Sequence, residues 1–160
     1  GGDSAGGNLA AVLAIMGRDG SIPAPCFQLL LYPAVDMAGS RAAHQRFTEG
    51  YVLTDQTMRW FINHYVKQAE HFLDWRASPL RVLTLAGVAP AFVMTCGHDP
   101  LVDEGIAYAK RLEEEGVSVT HLHVADQMHA YLTMGKFIPT SDLTLRHSAA
   151  TLRHHWANMG

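Results

Sequence analysis

The chain opens on Gly2-Asp3-Ser4-Ala5-Gly6, a serine held midway between two glycines and followed at once by a helical run. That G-x-S-x-G spacing is what a sharp strand-to-helix turn requires. At such a bend the serine backbone is strained and crowds the positions two before and two after it; glycine lacks a Cβ and fits at both. The bend leaves the Ser4 hydroxyl exposed at a helix N-terminus, where the backbone N–H of Ala5 can face a developing negative charge. A hydroxyl is a weak nucleophile by itself and needs a base beside it. The same five residues also suit a plain small-residue turn ahead of a helix, so the motif alone leaves both readings open.

The 160 residues amount to one domain's worth of chain, and 48% hydrophobic with 17% charged residues describes an ordinary globular protein. A net charge of −3 without any Lys/Arg cluster argues against nucleic acid and anionic membrane as partners. No apolar run reaches the length of a membrane span and no signal peptide is visible. Because Gly1 already lies inside what reads as a strand-to-helix turn, residues 1–160 are expected to be the C-terminal part of a longer domain. Cys26 and Cys96 both sit in apolar runs without metal-ligand spacing and read as small buried hydrophobes, with a disulfide between them left open. The ten histidines are scattered, so no zinc or other metal site is expected.

Along the chain, Leu9, Leu13 and Met16 recur at helical spacing, closed by Gly17 and Asp19-Gly20. Cys26 to Tyr32 is a short apolar run bounded by Pro25 and Pro33, the pattern of a strand buried on both faces in a parallel sheet. From Asp36 to about Leu53 the sequence loses its period, with Gly39, Ser40 and Gly50 along the way. Thr54 can then cap a helix whose apolar face is Met58, Phe61 or Ile62, and Tyr65. Residues 36–74 read as a lid- or cap-like insertion after a buried strand, with Tyr51, Trp60, Phe61 and Tyr65 as candidate substrate contacts. For any one of those aromatics alone, packing the helix down is the favoured reading; it is the segment taken together that suggests a lid.

A second buried strand, Ala91 to Gly97, ends at His98-Asp99-Pro100. A helix follows from about Val102, with Asp103 and Glu104 suited to its dipole, Ile106, Ala109 and Leu112 as its inner face and Gly116 as its stop. Val117 to Val124 is rich in β-branched residues and reads as a third strand, with a loop from Asp126 to about Thr140. Ser141 could cap a last helix carrying Leu145, Ala149, Leu152 and Trp156. Alternating helices and strands of this kind imply an α/β domain with a mostly parallel sheet flanked by helices.

An acid and a base for Ser4 should follow it in chain order, each in a loop after a strand. Asp99 ends an apolar run, and Pro100 holds its backbone extended, fixing the carboxylate at the carboxyl end of the sheet. Its plainer role would be a helix N-cap. His129 sits in the loop after the third strand, where Asp99 could hold its Nδ1 proton and leave Nε2 to take the proton of Ser4. His121 and His123 fall within the strand, His147, His154 and His155 on the last helix, and His98 should face away from the acid.

The chain resembles the hormone-sensitive-lipase-like carboxylesterases of the α/β-hydrolase fold. The resemblance is carried by Gly2 to Ala10, Leu31-Tyr32-Pro33, Ser78-Pro79-Leu80, the block from Asp99 to Gly105 and the loop around His129, and it spans nearly the whole chain. It implies an α/β-hydrolase fold, Ser4 as nucleophile, Asp99 as orienting acid, His129 as general base and Ala5 as an oxyanion donor. It further implies short- to medium-chain esters as small-molecule substrates, no cofactor, and homodimer formation through an edge strand, for which Val117 to Val124 is available. The sequence departs from the family pattern at His129-Ala130-Tyr131, where relatives usually have His-Gly-Phe, and at Val102, where many carry arginine. The family's His-Gly-Gly segment, source of further oxyanion donors, is not among these residues, so the fragment alone is expected to be inactive. A second possibility is a non-catalytic, receptor-like member of the same fold, which the presence of His129 disfavours.

Overall fold

The computed structural model describes residues 1–39 and 42–158; Ser40 and Arg41, inside the expected insertion, lie outside the described residues. Four parallel strands form one sheet in the order β1 (Gly2–Asp3), β2 (Gln28–Leu31), β3 (Ala91–His98) and β4 (Val119–Met128). The residues of β3 are buried from Ala91 to Cys96, as an uninterrupted apolar run demands of a strand covered on both faces. Helices α1 (Ala5–Arg18) and α4 (Val102–Glu114) cover one face, where Ala11, Ile15, Leu30, Val93, Tyr108 and Leu112 form the core. On the other face Tyr32, Phe92, Met94, Cys96 and Tyr131 cluster beneath the last helix, which reaches them through contacts such as Phe92 with His147 and Tyr131 with Thr144. The α/β-hydrolase architecture expected from the motifs is thus the one observed. Among the described residues no helix is long and apolar enough to cross a membrane.

Several expectations are corrected. The strand expected over Cys26 to Tyr32 is only the four residues of β2, and Cys26 is exposed, because the strand begins two residues later; both cysteines are free. In α1 the expected stripe is not the inner one: Leu9 and Leu13 are exposed, while Gly7, Asn8, Ala11, Val12, Ala14 and Ile15 are buried. Ile15 and Val12 carry the apolar contact, and Gly7, Ala11 and Ala14 let the helix lie close on the sheet. Ile106 is likewise exposed on α4, and Gly105 and Tyr108 face inward in its place. Strand β4 begins at Val119 and continues to Met128, beyond the expected loop start. In the last helix, α5 (Thr140–Ala157), the buried positions are Ser141, Thr144 and Ser148, whereas Leu145 and Trp156 are exposed. Ser141 does not cap α5; its hydroxyl donates to the carbonyl of Leu132.

Between β2 and β3 the chain leaves the sheet and returns. This excursion carries α2 (Ala42–Arg46), α3 (Asp55–Tyr65) and two short 3-10 turns, Ala69–Phe72 and Pro79–Arg81. Thr54 caps α3 as its residue type predicts, accepting the Thr57 N–H at 3.2 Å. The excursion is tied down by α4, whose first turn offers acceptors to its backbone. Asp103 accepts the Ala43 N–H at the start of α2, and Glu104 accepts the N–H groups of both Val35 and Asp36. Val102, in the same turn, packs with Ala43 and Phe47.

Candidate active site

Ser4 stands between β1 and α1 with φ 53° and ψ −117°, a backbone state that costs energy for any residue with a Cβ. The bend is held by its own main chain: the Ser4 N–H donates to Leu31 at 2.9 Å, and its carbonyl accepts from Asn8 and Ala34. A Cβ on Gly2 would lie 2.4 Å from the carbonyl carbon of Gly6, so the first glycine of the motif is there because the turn folds back on itself. Helix α1 begins at Ala5, directly after the serine, and no side chain caps its first N–H groups.

Asp99 leaves the carboxyl end of β3 almost fully buried, one oxygen accepting the Leu101 N–H at 2.8 Å. Its other oxygen meets His129 Nδ1 at 2.7 Å, and His129 Nε2 lies 3.0 Å from Ser4 Oγ. With Nδ1 donating to the carboxylate, Nε2 carries the lone pair and accepts from the serine hydroxyl. His129 reaches this position because the β3–β4 register slips between Cys96 and His98, lengthening β4 relative to its neighbour. The slip needs Gly97, where a Cβ would fall 2.0 Å from the Ala125 carbonyl oxygen. The Tyr32 ring packs against the imidazole with centroids 4.7 Å apart, and burial pushes its phenol well above the ordinary range.

Ala130, following the histidine, adopts φ 63°, the left-handed conformation that favours glycine. His98 is exposed and stacks on Tyr51, away from Asp99. His121 and His123 both hydrogen-bond to Thr95 Oγ1 on the α4 side of the sheet. Among the described residues no group of three or more His, Cys, Asp or Glu side chains is placed to hold a metal ion.

A cavity of about 490 Å³ opens beside Ser4, with Leu9, Leu53, Met58, Phe61, Tyr65 and Leu101 among its apolar walls. Phe61 and Tyr65 line it; Tyr51 and Trp60 do not. Tyr51 packs on Phe47 and His98, and Trp60 packs edge-on against Phe61 and over His64 at the surface. Residue type marked these four as aromatic but could not give the direction of each along α3 and the segment before it. Sequence reasoning assigned no role to Asn8 or Tyr32 and gave Glu104 only a dipole role. Asn8 and Glu104 line the cavity, and Tyr32 covers the imidazole. For Asn8 the available signal was its place one helical turn after the serine.

A family described by the alpha/beta hydrolase fold matches residues 1–133. Ethyl acetate hydrolase of Pseudomonas putida is 36% identical over 155 residues, 96% of this chain and 49% of that protein. Carboxylic ester hydrolase LipN of Mycobacterium tuberculosis is 38% identical over 139 residues, 84% of this chain and 37% of that protein. Among solved structures, the alpha/beta hydrolase enzyme LAE6 from the metagenome of Lake Arreo, Spain, superposes with a TM-score of 0.93 at 38% identity, covering 98% of this chain and 50% of its own. The chain therefore belongs to the α/β-hydrolase family, on its hormone-sensitive-lipase-like side, as the motifs imply. It spans about half the length of the P. putida relative and of LAE6.

Proposed function

We propose that the whole protein is a serine carboxylesterase that hydrolyses short- to medium-chain esters through an acyl-enzyme. The observation that carries this is the hydrogen-bonded path Asp99–His129–Ser4, at 2.7 and 3.0 Å, ending at a strained serine on the rim of an apolar cavity. Ser4 Oγ attacks the ester carbonyl carbon while His129 Nε2 takes its proton. The resulting imidazolium is held by Asp99, and the oxyanion faces the N-terminus of α1 at Ala5. The carbon–oxygen bond to the alcohol then breaks, and His129 returns the proton to the departing alkoxide. Water, deprotonated by His129, next attacks the acyl group on Ser4; the carboxylic acid leaves and the serine recovers its proton. The names of the relatives, ethyl acetate hydrolase and carboxylic ester hydrolase, support esters as the substrate class.

The apolar lining supports an uncharged acyl or alcohol group in the cavity, with Phe61 and Tyr65 in contact with it. Tyr51 and Trp60 would act only indirectly, through Phe47 and Phe61. With Ala5 as the oxyanion donor named among these residues, the 160-residue chain by itself turns esters over slowly or not at all. Losing one such donor typically lowers kcat by about 10²–10³. Pairing of two copies through the edge strand β4 remains part of the proposal. The receptor-like alternative has no comparable support, since His129 is bonded to both partners. The test is fluorophosphonate labelling of the full-length protein with the modified peptide mapped, alongside p-nitrophenyl ester turnover. Label on Ser4 and loss of turnover in Ser4→Ala are expected; label elsewhere, or retained turnover, overturns the assignment.

A further inference from the structure

Asn8 lies on α1 one turn beyond Ser4 and is almost fully buried. Its side-chain amide has two protons and uses both. Nδ2 donates to the carbonyl of Ala34 and to that of Ala77, each at 2.8 Å, although these acceptors are 26 and 69 positions away. Ala34 lies three residues past β2, where the chain enters the excursion, and Ala77 lies between its two 3-10 turns, ahead of the return to β3. Ala34 is bound to the elbow a second time, its N–H donating to the Ser4 carbonyl at 3.2 Å. Three further contacts close the base of the excursion without touching the elbow. The Ser78 hydroxyl accepts from Met37 and donates to Phe72, Arg81 pairs with Asp36, and Glu104 holds Val35 and Asp36. The base of the excursion is therefore a closed ring of polar contacts, and the Asn8 side chain joins both of its sides to the helix that carries the nucleophile, as Arg18 at the far end of that helix does for Thr84 and Ala86.

The position matters because the cavity beside Ser4 draws walls from α1 and from the excursion, besides Leu101 and Glu104 at the start of α4. Leu9 and Asn8 belong to α1, whereas Met37, Met58, Phe61 and Tyr65 belong to the excursion. The space between the serine hydroxyl and the far wall depends on how the two bodies are joined. A planar amide with two donors spans two carbonyls at once; alanine spans neither, and serine has one proton to give.

We propose that Asn8 is a positioning residue that sets the distance from the Ser4 hydroxyl to the apolar wall of the excursion and thereby selects the length of ester accepted. This rests on the esterase reading above. The test uses the full-length protein and compares p-nitrophenyl acetate with p-nitrophenyl octanoate, with fluorophosphonate labelling of Ser4 read in parallel. In Asn8→Ala the octanoate-to-acetate ratio of kcat/KM is expected to change by about tenfold or more, chiefly through KM for octanoate, while the serine still labels. Asn8→Ser, keeping one of the two bonds, should give an intermediate ratio, and it serves as the working variant if Asn8→Ala does not fold. A ratio within about twofold of the parent in a folded variant overturns the proposal. So does an equal fall for both esters and for labelling, which would mark a merely structural role. A parent that neither labels at Ser4 nor turns over either ester would instead overturn the esterase reading, and the positioning role with it.

Discussion

Asp99 and His129 meet at 2.7 Å across 30 positions of sequence, and the second oxygen of Asp99 is already committed to the Leu101 N–H. The carboxylate is thus aimed by main chain before it touches the imidazole, and it fixes which ring nitrogen carries the proton. Asp99→Asn keeps the shape but offers an amide that can hydrogen-bond either tautomer of His129. The expected outcome is a fall in kcat on the order of 10³–10⁴ with little change in fold, measured as p-nitrophenyl ester turnover beside circular dichroism of the full-length protein. Retention of more than about a tenth of the parent rate would mean that the pair does not set the tautomer during turnover.

The left-handed backbone of Ala130 is a second point of access. An L-residue with a Cβ is strained at φ 63°, and glycine is not. Ala130→Gly is expected to raise stability by roughly 0.5–1 kcal/mol, after allowing for the greater freedom of glycine in the unfolded chain. Thermal melting of the two full-length proteins checks this, with a gain of about 2 °C expected. A lower melting temperature would show that the loop relieves the strain elsewhere.

Glu104 gives a pH-dependent prediction. Burial pushes its carboxyl above the usual glutamate range, opposed by the N–H groups of Val35 and Asp36; His44 Nε2, at 3.8 Å, is too far to hydrogen-bond. The folded state thus binds this proton more tightly than the unfolded state. The ionisation costs nothing below the ordinary pKa of about 4.3, and stability declines as pH rises from there through the higher folded value. Glutamine can accept the same two N–H groups and has no such dependence. The melting temperature of Glu104→Gln minus that of the parent is therefore expected to grow more positive from pH 4 to pH 7. A difference that is flat, or that shrinks, would place the carboxylate in a better-solvated setting than its burial implies.

Much of this architecture can be read from residue patterns, and the exceptions share one cause. Proline-bounded apolar runs such as Ala91 to Gly97 point to buried parallel strands, being too short for an ordinary helix and apolar on both alternating faces. That Asp99 would lie at the carboxyl end of the sheet follows from its place just after such a run, whereas Ser4 is marked by the glycines around it and His129 by its place in a loop after the third strand. Helix faces were less legible. Helix α1 buries Gly7, Ala11 and Ala14 beside Val12 and Ile15 while exposing Leu9 and Leu13, and α5 buries Ser141, Thr144 and Ser148 while exposing Leu145 and Trp156, so a stripe of leucines or a tryptophan is a poor guide to the inner face. Asn8 and Glu104 were opaque for another reason: their partners are main-chain groups, which carry no residue type to recognise.

The closeness of α1 to the sheet bears on how this protein could be altered. Gly7, Ala11 and Ala14 let the helix settle low, and a Cβ on Gly7 would come within 2.8 Å of Pro33. Because the helix begins at the serine, lifting its axis by the width of a methyl group would carry the hydroxyl away from the imidazole without replacing either group. Random mutagenesis of this protein should accordingly turn up rate-altering substitutions on the underside of α1, at positions with no view of any bound ester.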